Sequence, residues 1–266
     1  MGFTEKLRDA ITRNNSLLCV GLDPNPHLMP PGVTVTQFNR AIIDATRDLV
    51  CAYKPNLAFY EAAGLEGLRA LEETLALMPS DIPTIGDAKR GDIGNTAREY
   101  ARALYDHFGF DAATVSPYLG FDSVEPFISY EDKGVFLLCR TSNPSARDFQ
   151  DLQVDGRPLY EHVAEKAREW NVHGNIGLVV GATYPDELAR IRELCPTMCL
   201  LVPGIGAQGG DLPAVVQHGI DKSGANAIIN VSRKILYASR ESDFAGAARA
   251  AASALRDEIN EHRPGA

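Results

Sequence analysis

Apolar residues in this chain follow two alternating rhythms, and each change of rhythm marks an element. Phe3, Leu7 and Ile11 recur every four residues and predict a short amphipathic helix over residues 3–13. The continuous apolar run at 17–22 predicts a buried strand, closed by the turn-forming Asp23-Pro24-Asn25-Pro26. Helical spacing through Phe38, Ile42, Ala45 and Leu49 leads into an extended piece at 52–56. The Leu-, Ala- and Glu-rich stretch 61–78 leads into a β-branched run at 82–86. Ile93, Ala97, Tyr100, Ala101, Leu104 and Phe108 are again helically spaced, and further strands fall at 112–116, 135–139, 176–180, 199–202 and 227–231. The remaining helices are clearest at 159–170, 186–194 and in the Ala-rich 244–262.

Eight short apolar strands alternating with helices, without linker composition or low-complexity sequence, predict an α/β protein: a (β/α)8 TIM barrel spanning 1–266 as one domain. A doubly wound open sheet is the alternative, but the Gly-x-Gly-x-x-Gly turn expected after its first strand is missing.

Charge and cysteine content narrow the function classes. A formal net charge of -9 with no Lys/Arg run argues against nucleic acid and anionic membranes as partners. Any anionic ligand must therefore be held by a few local cations. No apolar run reaches membrane-spanning length, and the amino terminus has no signal-like apolar core. Cys19, Cys51, Cys139, Cys195 and Cys199 sit in mostly apolar settings and read as reduced residues of a cytoplasmic protein. The six histidines are scattered without metal-ligand spacing, so no metal or cofactor is expected. Trp170 ends an amphipathic helix and reads as a packing residue.

In a barrel of this kind, functional groups gather at the carboxyl ends of the strands. Those ends carry Asp23, Lys54, Asp87 with Lys89, Thr141-Ser142-Asn143-Pro144, Gly181-Ala182-Thr183, Pro203 through Gly210, and Ser232-Arg233. The glycines at 204, 206, 209 and 210 would let backbone N–H groups approach an anion, and Ser232-Arg233 adds donors and a fixed charge at the usual phosphate position. Asp87 and Lys89, two apart on a strand, share a face. Asp92 falls at the following turn, with Thr96 one helical turn on. The plainer alternative is a helix cap at Asp92 or Asn95, a structural salt-bridge network, and glycines that merely form turns.

Asp87-Ala88-Lys89-Arg90-Gly91-Asp92-Ile93, preceded by Ala52-Tyr53-Lys54-Pro55-Asn56 and followed by Pro203-Gly204-Ile205-Gly206 and Asn230-Val231-Ser232-Arg233, resembles the orotidine 5'-phosphate decarboxylase family. Arg140-Thr141-Ser142-Asn143-Pro144 looks like its bacterial branch with longer chains, sometimes called type 2. The resemblance runs from about Leu17 to Tyr237. It implies cofactor-independent decarboxylation of orotidine 5'-monophosphate in pyrimidine biosynthesis. Lys89 would protonate C6, Asp87 would face the departing carboxylate, and Lys54 and Asp23 would hold the ribose hydroxyls. Asp92 and Thr96 would enter the site of a neighbouring subunit, making the working unit a homodimer. Ser142 would touch the pyrimidine amide, Gln208 would bridge base and phosphate, and Arg233 would grip the phosphate, with Pro203 and Ser232 also among the substrate-binding residues. The nearest rival is a Mg-dependent sugar-phosphate lyase of the same barrel group, which resembles this chain in Asp-x-Lys-x-x-Asp but carries a glutamate where Lys54 stands. A non-catalytic nucleotide-binding barrel is the rival from another class. The 147–157 insertion has no role assigned.

Overall fold

Eight strands, all but the second half of β3 largely buried, make one all-parallel sheet: β1 Leu18–Leu22, β2 Ala52–Pro55, β3 Ile85–Arg90, β4 Ala112–Val115, β5 Gly134–Arg140, β6 Ile176–Val180, β7 Leu200–Pro203 and β8 Ala227–Val231. The computed structural model describes residues 1–205 and 210–264. Apolar runs without alternation suit strands covered on both faces, here by side chains within the barrel and by helices outside. Pairing runs β2-β1-β8-β7-β6-β5-β4-β3, and bridges Tyr53–Thr84 and Asn56–Asp87 bring β2 back to β3. The ring is thereby closed as a (β/α)8 barrel.

One end of the barrel is plugged and the other left open. The helix Phe3–Asn14 sets Phe3 edge-on to Phe136, with ring centroids 5.7 Å apart. A Cβ on Gly134 would lie 2.4 Å from the Phe3 ring, so glycine is what lets this plug seat. At the opposite side of the ring the helix Phe244–Glu261 buries Ala248, Ala252, Leu255 and Ile259, a 4-3-4 spacing whose small residues permit close packing. Phe38 stacks between Tyr237 (6.0 Å) and Phe244 (5.2 Å), tying that helix to Val35–Thr46. Thr34 and Gln37 cap the latter reciprocally: Thr34 Oγ1 accepts from Gln37 N, and Gln37 Oε1 from Thr34 N.

Two stretches depart from simple periodicity. The stretch expected as one helix over 61–78 is two, Leu57–Glu61 and Gly64–Ala76, broken where Gly64 adopts φ +61°. The helix after β3 is α-helical only over Gly94–Arg102 and then widens to a π segment, Ala103–His107, where Phe108 N donates to Ala103 O. The extra residue turns both Leu104 and Tyr105 into the core, and Tyr105 Oη donates to Gly134 O at 3.0 Å. Ile93 and Tyr100, expected on the buried face of that helix, are exposed instead. Trp170 packs against Phe121. All five cysteines are free thiols; burial pushes those of Cys19 and Cys199 up to about 12, so neither is a ready nucleophile. Among the described residues no helix is long and apolar enough to cross a membrane.

Candidate active site

The open, carboxyl end of the barrel holds a cavity of about 450 Å³ whose walls come from every strand. Its charged side is built from three successive strand ends. Lys54 Nζ on β2 donates to Asp87 Oδ2 at 2.7 Å, and Lys89 Nζ on β3 donates to Asp87 Oδ1 at 2.6 Å. Lys54 is 3% exposed and Asp87 8%, whereas the Lys89 side chain is 48% exposed and free to meet a ligand. Burial alone would raise the Asp87 carboxyl, but Lys54 and Lys89 outweigh it and hold the group well below the usual carboxylate range. Burial likewise opposes charge on Lys54, and Asp87 and Asp23 reverse it, holding that ammonium above its ordinary value. Asp87 and Lys54 thus hold each other in their charged forms at neutral pH.

Asp87 and Lys89 meet, as expected for residues two apart on a strand, but not through regular alternation. The β3–β4 register passes from Gly86–Ala113 directly to Arg90–Val115, so Asp87, Ala88 and Lys89 bulge opposite the single residue Thr114. Lys89 itself has φ +47°, a left-handed conformation that costs a non-glycine residue about 1–3 kcal/mol. Thr114, 1% exposed, answers the bulge: its Oγ1 accepts from Lys89 N at 2.9 Å and donates to Asp87 Oδ1 at 3.0 Å.

Beside this cluster Ser232 Oγ donates to Asp23 Oδ2 at 2.6 Å, while Asp23 Oδ1 is buried and has no partner among the described residues. The approach depends on Gly21, where a Cβ would stand 1.9 Å from Ser232 Oγ. Ser232 therefore braces Asp23. Arg233 and Pro203 also line the cavity, Arg233 exposed at its rim. Leu138, Val179 and Leu201 form an apolar floor against the charges.

The 147–157 insertion gains a role on the β5 side. A 3-10 turn and a hairpin closed by Asp155 (φ +50°) and Gly156 (φ +75°) deliver Gln150 and Asp151 to the strand end. Arg140, 1% exposed, lies over the Tyr184 ring at 4.0 Å and pairs with Asp151 at 3.3 Å and Glu187 at 3.8 Å. It also donates to Gln150 Oε1 at 3.3 Å. Gln150 in turn accepts from Thr141 N and donates to Thr141 Oγ1, whose hydroxyl donates to Asn143 Oδ1. Thr141, Ser142 and Asn143 all face the cavity, and Gly181 has no Cβ to collide with the Ser142 backbone.

Of the residues anticipated from sequence, Asp23, Lys54, Asp87, Lys89, Ser142, Pro203, Ser232 and Arg233 converge on this cavity. Asp92 and Thr96 do not line it; Asp92 Oδ1 accepts from Ile93 N and Thr96 is exposed. Gln208 lies outside the described residues, as do Gly206 and Gly209. Thr114, Asn230, Asn56 and the apolar floor were missed. Thr114 and Asn230 did carry a signal, since each is a polar residue on the inward alternation of an otherwise apolar strand.

Similarity to known proteins agrees with this geometry. Residues 16–250 match the model of the orotidine 5'-phosphate decarboxylase / HUMPS family. The chain is 56% identical to the orotidine 5'-phosphate decarboxylase of a Dehalococcoides mccartyi strain, over 99% of both chains. It superposes on the Leishmania donovani OMP decarboxylase with TM-score 0.88, 46% identity and 99% coverage of each chain. The Leishmania donovani UMP synthase gives TM-score 0.91 at 47% identity, this chain spanning 57% of that longer one.

Proposed function

The chain belongs to the orotidine 5'-phosphate decarboxylase / HUMPS family, and from that premise we propose that it converts orotidine 5'-monophosphate to uridine 5'-monophosphate and CO2, with Lys89 delivering the proton to C6. The observation that carries this reading is the Lys54–Asp87–Lys89 cluster at the cavity wall, two ammonium groups on one buried carboxylate.

Loss of CO2 leaves negative charge on C6 in a ring that offers no position to delocalise it. A cation must stand beside that carbon. An ammonium ~3 Å away at an effective dielectric of ~20 contributes roughly 5 to 6 kcal/mol. Enzymes lower barriers by about 8 to 23 kcal/mol, so the remainder must come from elsewhere. In this reading the 5'-phosphate, gripped by Arg233 and Gln208, holds the ring in register, and its binding energy is realised in the transition state. Asp87, kept ionised by its lysines, faces the substrate carboxylate and loses that repulsion as CO2 departs. Asp23 Oδ1, without a partner among the described residues, accepts from a ribose hydroxyl, Lys54 lies alongside, and Ser142 meets the pyrimidine amide. The step belongs to pyrimidine nucleotide synthesis in the cytoplasm, where the five free thiols would stay reduced.

The position of Asp92 and Thr96 outside the cavity supports a homodimer in which they complete the neighbouring subunit's site. Ile93, Tyr118 and Leu119, on the adjoining loops after β3 and β4, are 55%, 80% and 48% exposed and suit an apolar contact. Mixing inactive Lys89→Ala with inactive Asp92→Ala chains should restore part of the activity, because one site in the mixed dimer then has both residues. No recovery after verified subunit exchange argues against shared sites. Arg233→Ala should raise KM by about 10²-fold with a smaller change in kcat, as expected for a remote anion contact; an unchanged KM places the phosphate elsewhere.

The direct assay incubates the protein with orotidine 5'-monophosphate and follows loss of its ultraviolet absorbance, with and without EDTA. Turnover that survives EDTA supports the reading. No turnover, with EDTA-sensitive conversion of a hexulose or ketogulonate phosphate, assigns the chain to the other chemistry of its barrel group.

A further inference from the structure

Lys89 is held at both ends by one hydrogen-bonded circuit. Its backbone N–H donates to Thr114 Oγ1, that hydroxyl donates to Asp87 Oδ1, and the same oxygen accepts the Lys89 ammonium. Thr114 is the single β4 residue opposite the three-residue bulge of β3, at a point where the ladder supplies the bulge with no partner. The half-exposed lysine is long, and its backbone is in the left-handed region, so neither side-chain packing nor backbone preference fixes where its ammonium sits.

We propose that Thr114 is a positioning residue for the proton donor, its hydroxyl coupling the strained Lys89 backbone to the carboxylate that aims the Lys89 ammonium. The proposal rests on the reading of Lys89 as the group that protonates C6. Thr114 donates its proton to Asp87 and accepts from Lys89, so it acts through these residues and not on the substrate. Its loss therefore shows in kcat. Binding of the phosphate and ribose, which other strands hold, changes little.

The test compares Thr114→Val, which keeps shape and removes the hydroxyl, with Thr114→Ser, which keeps the hydroxyl. Thr114→Val should lower kcat by about 10²-fold with KM within about threefold, the expected cost of displacing a reacting group by about 1 Å. Thr114→Ser should recover kcat to within about threefold of the parent. Where the valine protein does not fold, Thr114→Ala carries the same comparison. A parental kcat in Thr114→Val, equal impairment of the valine and serine proteins, or a change confined to KM overturns the proposal. Lys89→Ala is assayed alongside: if it retains turnover, the reading of Lys89 fails, whereas an inactive Lys89→Ala beside a fully active Thr114→Val rejects the positioning role alone.

Discussion

Lys89→Ala should lower kcat by about 10⁴-fold or more while uridine 5'-monophosphate binding stays within about tenfold of the parent. The size follows from the charge lost: about 5 to 6 kcal/mol of stabilisation beside C6 corresponds to roughly four orders of magnitude in rate. Binding survives because Arg233, Asp23 and Ser142 line other parts of the cavity. Folding should survive too, since Asp87 keeps Lys54 and Thr114 as partners. Single-turnover kinetics with equilibrium binding separates the two effects. Turnover within tenfold of the parent removes Lys89 from the chemistry.

Asp87→Asn should be the most damaging substitution for stability. It leaves the buried Lys54 ammonium without the carboxylate that now accepts its 2.7 Å hydrogen bond. Breaking one half of a buried pair costs about 3–5 kcal/mol, because the remaining charge stays desolvated. The cost also has a pH signature. Asp87 is held below its ordinary range in the fold, so its contribution is present above the unfolded-state value of about 4 and is lost as pH falls through the lower folded value. Lys54 is held above its ordinary range, so its contribution is complete below about 10.4 and is lost only as pH rises beyond that. The stability gap between parent and variant should be flat from about pH 5 to 9 and shrink below about pH 4, as read by denaturant unfolding across pH. A gap that stays constant down to pH 2 contradicts the depressed Asp87.

The barrel was legible because strands covered on both faces must be apolar throughout, and those runs stand out at 17–22, 176–180 and 227–231. Polar residues ending such runs are costly unless they work, which makes Asp23, Lys54, Asp87 and Lys89 visible in the sequence. The β3 bulge was not legible, because strand register depends on the neighbouring strand and leaves little trace in local propensity. Thr114 showed only as a polar residue on an apolar strand: threonine is an ordinary strand former, and its place opposite the bulge is what makes it special. The π segment escaped because helical spacing through Leu104 and Phe108 fits either form. Arg140 was read as part of a loop motif, whereas its burial against Tyr184 depends on an acidic residue and a glutamine brought back by the 147–157 insertion.

What remains for experiment is where the reacting carbon lies relative to the lysine. A crystal structure with an unreactive 6-substituted uridine 5'-monophosphate answers this most directly. The account predicts Lys89 Nζ as the nearest cation to C6, about 3 to 3.5 Å away, with the 6-substituent toward Asp87 and the phosphate against Arg233. A complex in which C6 faces another group while Lys89 points to solvent contradicts it.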